Sequence, residues 1–153
     1  MAVNISIEIS RNFRVAANLD RVFQLLANVP ESASHFPRVD ALIDLGDNCY
    51  RWEMKRIGID KHSIQTVYAC RYASSKKDGY ILWTPIKGEG NSLVDGAWHL
   101  TEDEQGVICK FHTTGKLRLP LPGLLKLAIS PIVKHEFNAL IDTYTKNLQK
   151  ALV

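Results

Sequence analysis

The sequence predicts an α+β fold in which a curved antiparallel sheet of seven strands wraps around one long C-terminal helix, with two short helices between the first and second strands. One observation is the ending: after roughly a hundred residues of strand and turn signals, Pro122 to Leu152 changes to helical spacing. Val133, Phe137, Leu140, Ile141, Tyr144 and Leu148 fall on one side of that helix, and Lys134, Asn138, Asp142, Lys146 and Lys150 on the other. The second observation is that no helical segment separates the strands from Val39 to Gly115, as parallel crossovers would require.

The first strand alternates cleanly, with Ile5, Ile7 and Ile9 on one face and Asn4, Ser6, Glu8 and Ser10 on the other. Asn18 or Asp20 can then cap a short helix carrying Val22, Phe23, Leu25 and Leu26, which ends near Asn28. A second helical turn follows Pro30, and Pro37 stops it. Six further strands are separated by breaks at Gly46 to Asn48, Gly58 to Asp60, Ser74 to Gly79, Gly88 to Asn91 and Glu102 to Gly106.

Period-two alternation sorts the faces. Tyr50, Trp52 and Met54 share one side, opposite Arg51, Glu53 and Lys55. The same rule groups Ile64, Thr66 and Tyr68; Ile81 and Trp83; Trp98 and Leu100; and Val107, Cys109 and Phe111. All three tryptophans are thereby expected to face the long helix.

The passage into that helix, Leu117 to Pro122, reads L-R-L-P-L-P and cannot be regular helix. Ser130-Pro131 then interrupts the apolar run Gly123 to Ile129, so that either Pro131 kinks one helix or Ser130 caps a second. In both cases the stretch before Pro131 is expected to be a separately hinged piece at the mouth of the sheet, with Leu124, Leu125 and Pro131 as its gate.

Composition fits one globular domain over residues 1–153, with 46% hydrophobic and 23% charged residues. Nineteen basic against 16 acidic side chains leave only +3, spread along the chain, so nucleic-acid binding is not expected. Cys49, Cys70 and Cys109 are odd in number and far apart, which suits neither a disulfide framework nor a zinc knuckle and points to a reducing, cytoplasmic location. The start, Met1 to Ser10, lacks a signal-peptide pattern, and no apolar run approaches the roughly 20 residues a membrane span needs.

Four short passages carry a resemblance: Val15-Ala16-Ala17-Asn18-Leu19-Asp20-Arg21-Val22-Phe23, Phe36-Pro37-Arg38-Val39, Gly96-Ala97-Trp98-His99-Leu100 and Leu119-Pro120-Leu121-Pro122. In this order, over nearly the whole chain, they resemble the SRPBCC superfamily, which holds polyketide cyclase/dehydrase-like proteins, StAR-related lipid-transfer (START) domains and pollen-allergen proteins of helix-grip fold. The resemblance implies a cavity between helix and sheet that accepts lipids, sterols, polyketides, quinones or plant hormones. It implies no shared catalytic set and no cofactor.

No motif supplies chemistry of its own. His135-Glu136 would need a second histidine at position 139, where Ala139 stands, so no metal site is expected. Gly88-Glu89-Gly90 has no helix after it to present to phosphate, and Glu102-Asp103-Glu104 lacks the spacing of a calcium loop. His62 falls on the face of Ile64 and Tyr68 and is a weak candidate base; a phenol at Tyr68 could donate to a ligand oxygen.

The expected function is therefore binding or transfer of a hydrophobic small molecule. Trp52, Met54, Ile64, Tyr68, Trp83, Trp98, Phe111, Phe137, Ile141 and Tyr144 are the expected cavity residues. A cyclase, aromatase or dehydratase using the same cavity is the alternative, and a protein-binding module using the outer face of Arg51, Glu53 and Lys55 is a third. Residues 117–134, where Leu119, Leu121, Leu124, Leu125, Leu127 and Ile129 lie among Arg118, Lys126 and Lys134, would suit transient contact with an anionic membrane surface; the alternative is that these leucines pack on the sheet edge.

Overall fold

The computed structural model describes residues 2–59 and 61–153. Strand β1 (Val3–Val15) leads into helices α1 (Leu19–Ala27) and α2 (Val29–Ala33). Strands β2 (Val39–Gly46), β3 (Cys49–Met54), β4 (Ile57–Ile59), β5 (His62–Ile64), β6 (Val67–Ser75), β7 (Tyr80–Pro85), β8 (Ser92–Asp103) and β9 (Gly106–Leu119) follow, and helix α3 (Lys126–Ala151) ends the fold. Seven strands form one sheet in the order β1-β9-β8-β7-β6-β3-β2, and every neighbouring pair is antiparallel.

Local chemistry sets the start of the chain. Asn18 caps α1, its side-chain oxygen accepting from the Arg21 amide at 2.9 Å. Asn28 then serves two helices, ending α1 and accepting from the Glu31 amide at 3.1 Å as the cap of α2. Along β1 the odd residues Val3 to Ile9 are buried and the even ones exposed, as period-two alternation requires.

The sheet departs from the sequence reading at one corner. Gly58 and Ile59 are not a break: they belong to β4, which pairs with β5 in a separate two-stranded ribbon, Ile57 opposite Ile64 and Ile59 opposite His62. Asp60, the last residue of that expected break, lies outside the described residues. Ile64 and Tyr68 therefore belong to different strands, and His62 sits on the ribbon.

Helix α3 is also one piece. Neither a second helix nor a Ser130 cap forms; Pro131 sits inside a continuous helix that a single 3-10 turn, Gly123–Leu125, introduces. Proline has no N–H for the carbonyl four residues earlier, that of Leu127. Leu127 is 90% exposed, so water can take the place of that bond. The helix is tied to the sheet from the side expected to be solvated: Arg11 Nε donates to Asp142 Oδ1 at 2.8 Å, and Arg11 Nη2 to Asn138 Oδ1 at 3.0 Å.

Candidate ligand-binding cavity

The concave face of the sheet and the inner side of α3 leave a space between them. Its walls come from β1 (Ile7, Ile9), α1 and α2 (Leu26, Val29, Ser32), the sheet centre (Trp52, Tyr68, Tyr72, Trp83, Trp98, Phe111) and α3 (Phe137, Leu140, Ile141, Tyr144). The free volume is about 90 Å³ to the centre of a water-sized sphere. One water needs roughly 10–15 Å³ by that measure. The space thus suits one small ring, and a longer ligand requires side chains to move.

Strand register explains why the aromatic residues converge. Trp98 lies opposite Ile81 on one side and Phe111 on the other, and Trp52 lies opposite Tyr68. The Trp98 and Phe111 rings are 4.9 Å apart between centroids, Trp83 and Phe111 5.8 Å, and Trp52 stacks on Tyr68 at 5.9 Å. Residue 96, opposite Trp83, is glycine; a Cβ there would stand 2.5 Å from the indole ring. Gly96 is what lets Trp83 fit beneath β8.

Hydroxyl groups provide the polar part of the walls. The Trp52 indole N–H donates to the Tyr72 hydroxyl at 2.9 Å, and the Tyr144 hydroxyl shares a 2.6 Å hydrogen bond with Ser32 Oγ. Thr113 Oγ1 donates to the Asp95 carbonyl at 2.7 Å. Burial pushes the Tyr144 phenol up to about 12 against its bond to Ser32, and raises Tyr68 and Tyr72 well above the ordinary value of 10.0. All three are neutral at physiological pH. Aspartate, glutamate, histidine, lysine, arginine and cysteine are all missing from the described walls.

Nine of the ten expected cavity residues, Trp52, Met54, Tyr68, Trp83, Trp98, Phe111, Phe137, Ile141 and Tyr144, stand around this one space. Ile64 does not: it lies on β5, 2% exposed in the same core, but does not line the space. His62 is also absent from them. Of the expected gate, Leu124 is 96% exposed, Leu125 packs on the core, and neither these two nor Pro131 reaches the cavity.

Sequence reasoning overlooked Phe36 and Tyr72. Phe36 stacks on Tyr144 at 3.8 Å and meets Trp52 edge-on at 5.3 Å, yet it follows α2 in a segment with no periodicity to place it. Tyr72 continues the alternation from Tyr68 through Cys70, a signal that was present in the sequence.

Fold and cavity together define a helix-grip protein, a curved antiparallel sheet holding one long helix with space between them. No family model and no curated protein matches the chain. Solved structures do. The di-domain aromatase/cyclase StfQ of the steffimycin biosynthetic pathway superposes with a TM-score of 0.61 at 13% identity over 97% of this chain, which spans about half (51%) of StfQ. The Zhui aromatase/cyclase from a Streptomyces species gives 0.56 at 13% identity, covering 96% of this chain and 91% of that one. A START superfamily protein from Mycobacterium smegmatis gives 0.60 at 13% identity, covering 95% and 96%. The chain thus has the fold of these two aromatase/cyclases and of this START superfamily protein, the fold that the resemblance to the SRPBCC superfamily implied.

Proposed function

We propose that the chain acts as one domain over residues 1–153 that binds or transfers a hydrophobic small molecule by enclosing it between sheet and helix. The observation that carries this reading is the cavity wall, a ring of aromatic and aliphatic side chains whose only polar groups among the described residues are neutral hydroxyls and the indole N–H groups of Trp52, Trp83 and Trp98. A ligand that hides about 150 Å² of apolar surface there gains roughly 4 kcal/mol, at ~25 cal/mol per Å². The binding residues in this reading are Trp52, Met54, Tyr68, Trp83, Trp98, Phe111, Phe137, Ile141 and Tyr144, joined by Phe36 and Tyr72.

The cyclase or dehydratase alternative uses the same space, and the likeness to aromatase/cyclases favours it at the level of fold. Against it stands the lack of any described wall group that titrates near neutral pH, where general acid–base catalysis works best. Three free, buried cysteines support a reducing, cytoplasmic setting. Among the described residues no helix is long and apolar enough to cross a membrane. Transient contact with a membrane surface rests on Leu124 and Leu127, 96% and 90% exposed beside Lys126. Leu119, Leu121 and Ile129, expected to share in that contact, are instead 0–2% exposed in the core.

The test is ligand capture. Native mass spectrometry of the purified protein, with solvent extraction of what co-purifies, is expected to reveal an apolar small molecule. A panel of apolar ligands is expected to change the emission of Trp52, Trp83 and Trp98 together. No co-purified molecule and unchanged emission across the panel would sink the reading.

A further inference from the structure

The cavity distributes its hydroxyls unevenly. Those of Tyr144 and Thr113 are bonded to Ser32 and to the Asp95 carbonyl, and that of Tyr72 accepts from Trp52. Tyr68 and Thr66 differ: both stand in the wall, two residues apart, and neither side-chain hydroxyl has a protein partner among the described residues. No side-chain oxygen or nitrogen of the described residues is both fully buried and unpartnered. These two hydroxyls therefore keep accessible surface; Tyr68 lines only the cavity, whereas Thr66 also lines a small neighbouring cleft beside Arg38 and Lys55.

The Tyr68 ring is held in place. It stacks on Trp52, whose own N–H is committed to Tyr72, and the cross-strand pairing of Trp52 with Tyr68 fixes both side chains over the sheet. Desolvation by the surrounding protein raises the phenol well above 10.0, with the Cys70 and Tyr144 side chains adding to the effect. It keeps its proton at neutral pH and can donate. Thr66 is 3% exposed, and its backbone carbonyl is already committed to the Met54 amide at 3.0 Å, leaving its hydroxyl as the free group.

Resting on the cavity-binding reading, we infer that Tyr68 and Thr66 form a hydrogen-bonding anchor for an oxygen acceptor on the ligand. The ligand class is then an apolar molecule carrying a carbonyl or similar oxygen, the apolar body lying against Trp83, Trp98 and Phe111. An apolar cavity selects by a small number of placed polar groups. An unsatisfied hydroxyl in such a setting is costly, so a ligand that meets it is favoured over one that does not.

Acetophenone and ethylbenzene test the anchor, since they have nearly the same shape and differ by one carbonyl oxygen. Affinities of both are measured by amide NMR titration for the wild type, Tyr68→Phe and Thr66→Val. The expected result is that Tyr68→Phe weakens acetophenone by about three- to tenfold, the worth of one net hydrogen bond, and leaves ethylbenzene unchanged or tighter. Thr66→Val is expected to act in the same direction and less strongly. The infrared carbonyl stretch of bound acetophenone should lie lower in the wild type than in Tyr68→Phe, a signature that packing alone does not produce. Equal changes for both probes, or an unshifted carbonyl band, would overturn the anchor while leaving cavity binding intact. If neither probe bound the wild type, the cavity reading would fall and the anchor with it.

Discussion

Trp83 and Gly96 are cross-strand partners, and the indole of the first occupies the place where the second would carry a side chain. A Cβ on Gly96 would also stand 2.5 Å from the His112 carbonyl oxygen, so backbone as well as ring would have to give way. Gly115 presents the opposite case on the neighbouring strand. It borders the cavity, and a Cβ there would meet only Leu117 Cδ1 at 3.5 Å and Val94 Cγ2 at 3.8 Å, ordinary contacts.

Gly96→Ala is therefore expected to destabilise the fold by about 1–3 kcal/mol, the usual cost of overpacking. Gly115→Ala should leave stability within about 0.5 kcal/mol of wild type and narrow the cavity instead. Urea denaturation of both variants checks the contrast. Equal loss in the two would show that Trp83 does not depend on the space that Gly96 leaves.

The buried phenols and thiols make stability sensitive to alkali. Cys70 and Cys109 are pushed by burial from 9.0 to about 12, Tyr144 from 10.0 to about 12, and Tyr68 and Tyr72 well above 10.0. Between the ordinary and raised values the unfolded chain has lost protons that the folded chain still holds, so stability falls as pH rises. Their contribution is complete below about pH 9 and is lost progressively toward pH 12. Urea midpoints should be level from pH 7 to 8.5 and fall from there upward. In a tyrosinate absorbance titration, Tyr68, Tyr72 and Tyr144 should ionise only as the fold is lost.

The opening of α3 is expected to be its least protected part. Leu124 and Leu127 are almost fully exposed there, while Val133 and Leu148 farther along are 0% exposed. Few buried apolar contacts mean easy local opening. Hydrogen exchange should be faster in Gly123 to Ser130 than in Val133 to Leu148, and Pro131→Ala, which returns a donor to the Leu127 carbonyl, should slow it. Anionic vesicles should slow exchange in the same stretch if Leu124 and Leu127 meet a membrane surface. Equal protection along the whole helix would show its first turns to be held as firmly as the rest, and indifference to vesicles would remove the membrane contact.

The sequence by itself determined the order of the elements, the antiparallel sheet, the long closing helix and the inward face of each main strand. Period two in Ile5, Ile7 and Ile9 and helical spacing from Val133 to Leu148 record burial directly, because a side chain's face follows from its position in the repeat. That is why alternation alone puts Trp52, Trp83, Trp98 and Phe111 on one face. Ile64 was misplaced for the same reason: alternation was carried through a point where the chain leaves the ribbon and starts a new strand, and a sequence repeat has no mark for that change of element. Only the tertiary structure decided which leucines of the segment 117–134 are core and which lie bare, since Leu121 and Leu124 are alike in type and differ in what the folded chain brings against them. It alone also stacked Phe36 on Tyr144, bonded Tyr72 to Trp52 and left the Tyr68 hydroxyl without a hydrogen-bond partner among the described residues. Hydrogen bonding of this kind depends on atoms distant along the chain meeting within about 3 Å, a condition that spacing along the sequence does not encode.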